Sequence, residues 1–129
     1  MAVINTTWIE NQLLTLNESN VGKSGRGYGA IDMATNGYIK VTPQIIVTWN
    51  AGGNGNASID LKGSPNSGNS IDTISLFEQD LTYSVSSTKK VSFEVDRWPY
   101  IEIGVTNGNT NDTTINVSMV YAGLKYVST

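Results

Sequence analysis

The sequence predicts an all-β protein, an antiparallel β-sandwich of about eight strands of the jelly-roll or immunoglobulin-like kind. Short runs in which apolar residues alternate with polar ones are separated by turn-forming residues at sandwich-like spacing. Asn, Ser, Thr and Gly make up about two fifths of the 129 residues, a composition typical of β-proteins with many turns.

The run 91–107 reads as strand, corner, strand, because apolar residues alternate on both sides of Trp98-Pro99. In a tight hairpin centred on Trp98, Glu94 would face Glu102, and facing like charges destabilise a strand pair. Proline lacks an N–H group and holds the preceding residue in an extended conformation. We therefore expect a corner at which the chain leaves one sheet and enters the facing one.

The remaining strands are expected on either side of polar loops at 17–29, 50–56 and 63–70. They are predicted at 28–33, 41–49, 57–62, 71–77, 81–85 and 114–121, the last continuing through a bulge into 124–127. Asn36-Gly37 predicts a two-residue hairpin turn. The predicted core consists of Ile45, Val47, Ile59, Phe93, Val95, Ile101, Ile103, Val105, Ile115 and Val117.

The N-terminal segment 6–16 is predicted to form a short helix. Thr7 to Glu10 has the form of a capping box, and Ile9, Leu13 and Leu16 follow at helical spacing. Residues 1–129 are interpreted as a single domain, with 1–27 as an N-terminal arm and polar loop. The arm either packs on a neighbouring subunit or covers the chain's own core.

Composition excludes several classes of function. The chain has no Cys and no His, so it has no disulfide, no thiolate or imidazole metal ligand, and no catalytic set built on either residue. A net charge of −3 with 15% charged residues argues against nucleic-acid binding. The start has no signal-peptide pattern, and no apolar run is long enough to span a membrane. We expect a protein that is not an enzyme and needs no cofactor or metal.

Three motif fragments are better explained as loops or turns. Residues 22–24 (Gly-Lys-Ser) end like a P-loop, but Asn17 stands where the first glycine is required. The segment 25–30 matches a relaxed dinucleotide fingerprint, yet it leads into a strand pattern. Residues 107–112 alternate oxygen-bearing side chains as calcium loops do, with a single carboxylate.

Self-association is predicted from the strand faces. The outward sides of 42–48 and 114–121 are rich in Thr, Asn and Ser, have few charges, and are broken by Ile46 and Val120. A sugar-binding platform would need exposed aromatic residues, whereas Trp49, Trp98 and Tyr121 stand in contexts that favour core packing. The residues proposed for an interface or ligand contact are Trp8, Ile9, Leu13, Ile46, Trp98 and Val120.

Three stretches carry a resemblance to a known group: Asn36-Gly37-Tyr38 before a long strand, the loop 64–68, and the run 92–107. Together they resemble the small all-β virion proteins of tailed bacteriophages, of the capsid decoration and head-fibre type. The resemblance implies a non-enzymatic module in the virion, made in the host cytoplasm, that contacts other virion proteins and forms homo-oligomers, with a trimer favoured. The alternative is a module that binds carbohydrate or a host receptor, with surface glycans as partners.

Overall fold

The computed structural model describes residues 5–66 and 70–127 and confirms the antiparallel β-sandwich. About 57% of the described residues are in strands and 3% are in helix. Part of the predicted 63–70 loop, residues 67–69, lies outside the described residues, as do the first four residues of the chain. None of the helices in the described ranges is long and apolar enough to cross a membrane.

Two sheets face each other. In the described residues, ten strands and one short helix follow in the order β1 Thr6–Leu14, β2 Asn20–Val21, β3 Arg26–Ile31, α1 Met33–Asn36, β4 Tyr38–Trp49, β5 Ala57–Ser64, β6 Phe77–Leu81, β7 Thr88–Ser92, β8 Val95–Asp96, β9 Tyr100–Asn107 and β10 Ile115–Tyr126. The larger sheet has the order β1-β10-β4-β7, with β2 added to β10 and β8 added to β4. The smaller sheet has the order β3-β9-β5-β6.

The predicted corner at Trp98-Pro99 is confirmed. β7 and β8 pair with β4 in the six-stranded sheet, and β9 pairs with β3 and β5 in the four-stranded sheet. The Trp98 side chain is half-buried and packs against the core. The chain therefore changes sheets at Trp98-Pro99. This agrees with the argument that a tight hairpin would have placed Glu94 opposite Glu102.

The core lies between the two sheets, as the alternation predicted. Nine of the ten predicted core residues are buried. The exception is Phe93, which is half-buried and packs on Phe77 with 4.9 Å between ring centroids. Met119 and Trp49 are both fully buried on the inner side of the six-stranded sheet, Met119 opposite Ile45 and Trp49 at the end of β4.

The N-terminal helix prediction is wrong, because Thr6–Leu14 forms strand β1 and pairs with β10. Between Ile9 and Gln12 the pairing shifts, so that β1 has two residues where β10 has one. This bulge breaks the alternation of inward and outward side chains. The resulting spacing of apolar residues imitated the period of a helix.

The expected hairpin at Asn36-Gly37 is also wrong. These residues end helix α1: Asp32 caps its start by accepting a 2.9 Å hydrogen bond from the Thr35 amide, and Gly37 caps its end. Gly37 has a left-handed backbone with φ of +70°, which glycine adopts at little cost. The helix carries the chain from the four-stranded sheet, where β3 lies, to β4 in the other sheet.

Two further boundaries differ from prediction. The 17–29 loop contains β2 and the start of β3, where Gly27 and Gly29 face inward and leave room for the segment 14–18. The polar stretch expected between strands 71–77 and 81–85 is itself inside β6, an edge strand whose polar residues face solvent. The extension of the last strand past Gly123 is confirmed, with a register shift between Leu124 and Lys125.

Candidate binding face

The solvent side of the six-stranded sheet, called the outer face below, is mostly polar, with Lys40 and Lys90 as its charged residues on β4 and β7. Along β4, half-exposed Thr42, Gln44, Ile46 and Thr48 alternate with buried residues. The strand register sets their neighbours: Gln44 lies opposite Val120 on β10, and Val120 lies opposite Leu13 on β1. Directly paired residues in an antiparallel sheet share a face, so Leu13, Val120 and Gln44 form one row across it.

The bulge in β1 borders this face. Glu10 and Asn11 are the two residues that oppose the single residue Ala122 of β10. Asn11 has a left-handed backbone with φ of +54°, an uncommon conformation for any residue other than glycine, although Asn tolerates it best after glycine. Gln12 fixes the turn, since its side-chain amide donates a 2.9 Å hydrogen bond to the Glu10 carbonyl oxygen.

A groove of about 290 Å³ lies between the bulge and the centre of the sheet. Its lining consists of Glu10, Asn11, Thr42, Gln44, Val120, Tyr121 and Ala122. The small side chains of Thr42 and Ala122 leave space there, and the bulge provides a wall. The lining contains one carboxylate, two carboxamides and no Lys or Arg.

The nearest cation on the outer face is already paired. Lys40 Nζ lies 2.5 Å from Glu94 Oε1 and 3.8 Å from Asp96 Oδ1. The hydrogen bond and charge of Glu94 raise the pKa of Lys40, so the ammonium stays protonated. Its charge is offset by these two carboxylates, whereas Lys90, exposed opposite Ile46 on the same face, lies outside the lining of the groove.

The structure brings four of the six proposed interface residues to the outer face: Trp8, Leu13, Ile46 and Val120. Ile9 lies opposite buried Gly123 and is half-buried, so it faces the other side of the sheet. Trp98 lies at the corner against β5, away from the other five.

Exposed apolar side chains gather along the β1 edge. Among the described residues, eight large hydrophobic side chains are exposed, and four of them are on β1 or at the end of β10: Trp8, Leu13, Tyr126 and Val127. Leu13 is 76% exposed, and Tyr126 lies opposite Thr6 in the strand pair. Because β1 is an edge strand, its outer backbone groups are also available to a partner.

A charged cluster on the other side of the molecule is fully paired. Arg26 donates hydrogen bonds to Asp60 from Nε (2.9 Å) and Nη2 (2.5 Å), and to Glu102 from Nη1 (3.0 Å). Burial lowers the pKa of Arg26, but the hydrogen bonds and charges of Asp60 and Glu102 outweigh it, and the net shift is upward. The guanidinium also lies 5.2 Å from the centre of the Tyr28 ring. This cluster is suited to holding strands together.

Several carboxylates of the described residues are either paired with a cation or exposed to solvent. Glu102 is bound by Arg26 and Glu94 by Lys40, while Asp72, Glu78 and Asp80 are exposed. Within residues 5–66 and 70–127 there is no group of three acidic side chains that could hold a metal ion.

The asparagine-rich turns serve the fold. Asn109 is 3% exposed, and its Oδ1 accepts hydrogen bonds from the amides of Asn54 (2.9 Å) and Gly55 (2.8 Å). Asn107 donates to the carbonyl oxygens of Val21 and Thr113. The Oδ1 atoms of Asn107 and Asn109, which a calcium loop at 107–112 would have needed as ligands, both accept backbone hydrogen bonds, so the interpretation as a turn agrees with the structure.

The sequence did not predict that the residues other than Val120 would line a groove. Glu10 was assigned to a capping box, and Thr42, Gln44 and Ala122 are ordinary polar or small residues on a strand face. Only the failure of strict alternation between Trp8 and Leu14 could have indicated the bulge. Trp49 is buried, with its Nε1 donating a 3.1 Å hydrogen bond to Gly55, as the core interpretation predicted.

Comparison with known proteins supports the fold. No protein-family model matches the sequence, and no curated protein is similar to it in sequence. The structure is similar to the PBSX exported protein XepA, with a TM-score of 0.58 at 10% identity over 92% of this chain and 37% of that one. Latent PorU from Porphyromonas gingivalis gives a TM-score of 0.51 at 10% identity over 95% of this chain and 13% of that one. A family 35 carbohydrate binding module from an environmental isolate gives 0.49 at 8% identity, covering 99% and 95%.

The chain therefore spans well under half the length of XepA and of PorU. At these identities the similarity concerns the β-sandwich fold alone.

Proposed function

We propose that the protein is a non-enzymatic structural module of a phage-type particle, and that its copies associate through the apolar β1 edge. The observation that carries this proposal is the gathering of Trp8, Leu13 and Tyr126 at an edge strand. Monomeric proteins normally protect such edges with charges, proline or bulges. Here the bulge interrupts the strand, but the outward-facing residues on either side of it, Trp8 and Leu13, are apolar.

Two further observations support a particle role. The resemblance of the 36–38, 64–68 and 92–107 stretches to phage decoration and head-fibre proteins comes from the sequence. The likeness to XepA, an exported protein of the phage PBSX, comes from the fold. A module present in many copies on a particle gains avidity from contacts that are individually weak.

A non-catalytic role is supported by the charged groups. The chain has neither His nor Cys. The partly buried carboxylates of Asp60 and Glu102 are bound by Arg26 and cannot act as a free acid or base without breaking that cluster.

Mass spectrometry of particles purified after lysis of the source organism tests this function. We expect the chain in the particle fraction, at a copy number comparable to that of other structural proteins. Its absence from purified particles, with the intact chain present in the soluble lysate, would contradict the proposal.

Glycan or host-receptor binding is a second candidate function, which the outer-face groove favours. Ligand binding in the groove is compatible with a position on a particle surface. The groove opens on the outer face of the sheet, whereas the exposed apolar residues lie along the β1 edge.

A further inference from the structure

We infer that the groove beside the β1 bulge is a binding site for a neutral oligosaccharide. This inference deepens the second candidate function and rests on it. It names the site, formed by Glu10, Asn11, Thr42, Gln44 and Ala122, and the chemical class of the ligand.

The bulge shapes the site. Two residues of β1 stand opposite one residue of β10, and Asn11 takes a left-handed backbone that a regular strand would not require. Such conformations persist where the surroundings enforce them, and bulges next to binding sites redirect side chains. Protection of the edge alone would explain an interruption of pairing. It would not explain why the bulged residues Glu10 and Asn11 form a wall of the groove.

A ligand on the floor of the groove contacts side chains rather than free backbone groups. β10 is paired with β1 on one side and β4 on the other, and β4 is paired with β7 and β8 beyond it. The β10 and β4 backbones beneath a ligand are engaged with each other, and the pairing is interrupted only at Glu10 and Asn11 in the bulge, too short a stretch to pair with an added strand. A peptide that binds by adding a strand needs free backbone groups at an edge, so this mode is not available on the floor.

The lining chemistry matches a sugar. The Glu10 carboxylate accepts hydrogen bonds from hydroxyl groups, the carboxamides of Asn11 and Gln44 both donate and accept, and Thr42 adds a hydroxyl. The one aromatic residue in the lining, Tyr121, is half-buried, so the groove would hold a sugar by hydrogen bonds rather than by stacking, with Ala122 as a small apolar surface for the C–H face of a ring. No Lys or Arg lines the groove, and Glu10 would repel an anion, so a neutral ligand is favoured over an acidic one.

Affinity electrophoresis tests this inference. The full chain is run in native gels containing xylan, mannan, dextran or β-glucan, with polygalacturonate as the anionic comparison. We expect retardation by at least one neutral polysaccharide and none by polygalacturonate. Gln44→Ala should weaken the association about tenfold, the usual effect of losing one or two good hydrogen bonds. Asn11→Gly, which keeps the left-handed backbone, should weaken it by a similar factor.

Ser118→Ala is the matched control, because Ser118 is exposed on the same face but does not line the groove. Its retardation should remain within twofold of the wild type. Two results would overturn the inference. One is that no neutral polysaccharide retards the protein, and the other is that both groove variants are retarded as strongly as the wild type.

Polysaccharide binding and the presence of the chain in particles are tested independently. A protein found in particles that binds no polysaccharide overturns this inference alone. Specific binding by a protein that is absent from particles supports the groove and contradicts the structural role.

Discussion

Gly104 of β9 leaves room for the Arg26 side chain. Substituting Gly104 should therefore show how much the Arg26 ion pairs contribute to the stability of the four-stranded sheet. A Cβ atom at Gly104 would lie 2.5 Å from Arg26 Nη2 and would overlap Nε and Cζ as well. The Gly104→Ala variant must therefore displace the guanidinium from Asp60 and Glu102.

The cost can be estimated from the exposure of the cluster. The side chains of Arg26, Asp60 and Glu102 are 23%, 13% and 14% exposed, between the surface and the interior. Exposed ion pairs contribute up to about 1 kcal/mol, whereas breaking a buried pair costs about 3 to 5 kcal/mol. We expect Gly104→Ala and Arg26→Ala each to lower the free energy of unfolding by about 2 kcal/mol, or the Tm by roughly 8 °C.

The double variant provides the decisive comparison. Gly104 does not have a left-handed backbone, so alanine fits once the Arg26 side chain is removed. In an Arg26→Ala background, Gly104→Ala should be neutral or stabilising by up to about 1 kcal/mol, because alanine restricts the unfolded chain. Urea unfolding followed by tryptophan fluorescence measures all four proteins.

Gly22→Ala is the control, since a Cβ atom there would meet nothing within 4 Å. Its stability should stay within about 0.5 kcal/mol of the wild type. If Gly104→Ala costs the same in both backgrounds, the overlap with Arg26 is not the reason for the glycine, and the argument fails.

Three further outcomes are expected. Gly63→Ala should destabilise by about 2 kcal/mol in thermal unfolding, because its Cβ would lie 2.6 Å from Trp98 Cζ3; an unchanged Tm would show that the Trp98 ring does not pack there. Asn109→Ala should cost about 2 to 3 kcal/mol, since two backbone amides lose their acceptor; a cost below 0.5 kcal/mol in urea would contradict this role. Burial and the hydrogen bond with Tyr38 raise the pKa of Tyr121. The folded state thus disfavours the phenolate, and the resulting stability, present below about pH 10, should be lost as the pH rises further. Tyr121→Phe should lose less stability than the wild type between pH 9 and 12, and parallel pH profiles would refute the assignment.

The β-sandwich could be predicted because the alternation of apolar and polar residues is a local feature of the sequence. Residues such as Ile59, Ile115 and Val117 alternate with polar neighbours, and this alternation indicates directly which side chains face a core. The corner at Trp98 followed from one charge argument and the geometry of proline.

The errors have two physical causes, a distant strand that sets the register of β1 and a local cap that decides the conformation at Asn36-Gly37. The bulge in β1 requires β10 to set the register, and without β10 the spacing of Ile9 and Leu13 imitates a helix. The Asn36-Gly37 pair suits a hairpin turn and a helix end equally well, and Asp32 decides between them by capping α1. The groove could not be foreseen, because it exists only where three strands lie side by side.

Light scattering on the purified protein tests association through the β1 edge most directly. At micromolar concentration we expect a trimer of the 13.9 kDa chain. Leu13→Ser should shift the mass towards that of the monomer, whereas Ile74→Ser, at an 81% exposed position away from β1, should not. A dimer would contradict only the stoichiometry. A wild-type monomer, or a Leu13→Ser variant that associates as strongly as the wild type, would contradict association through this edge.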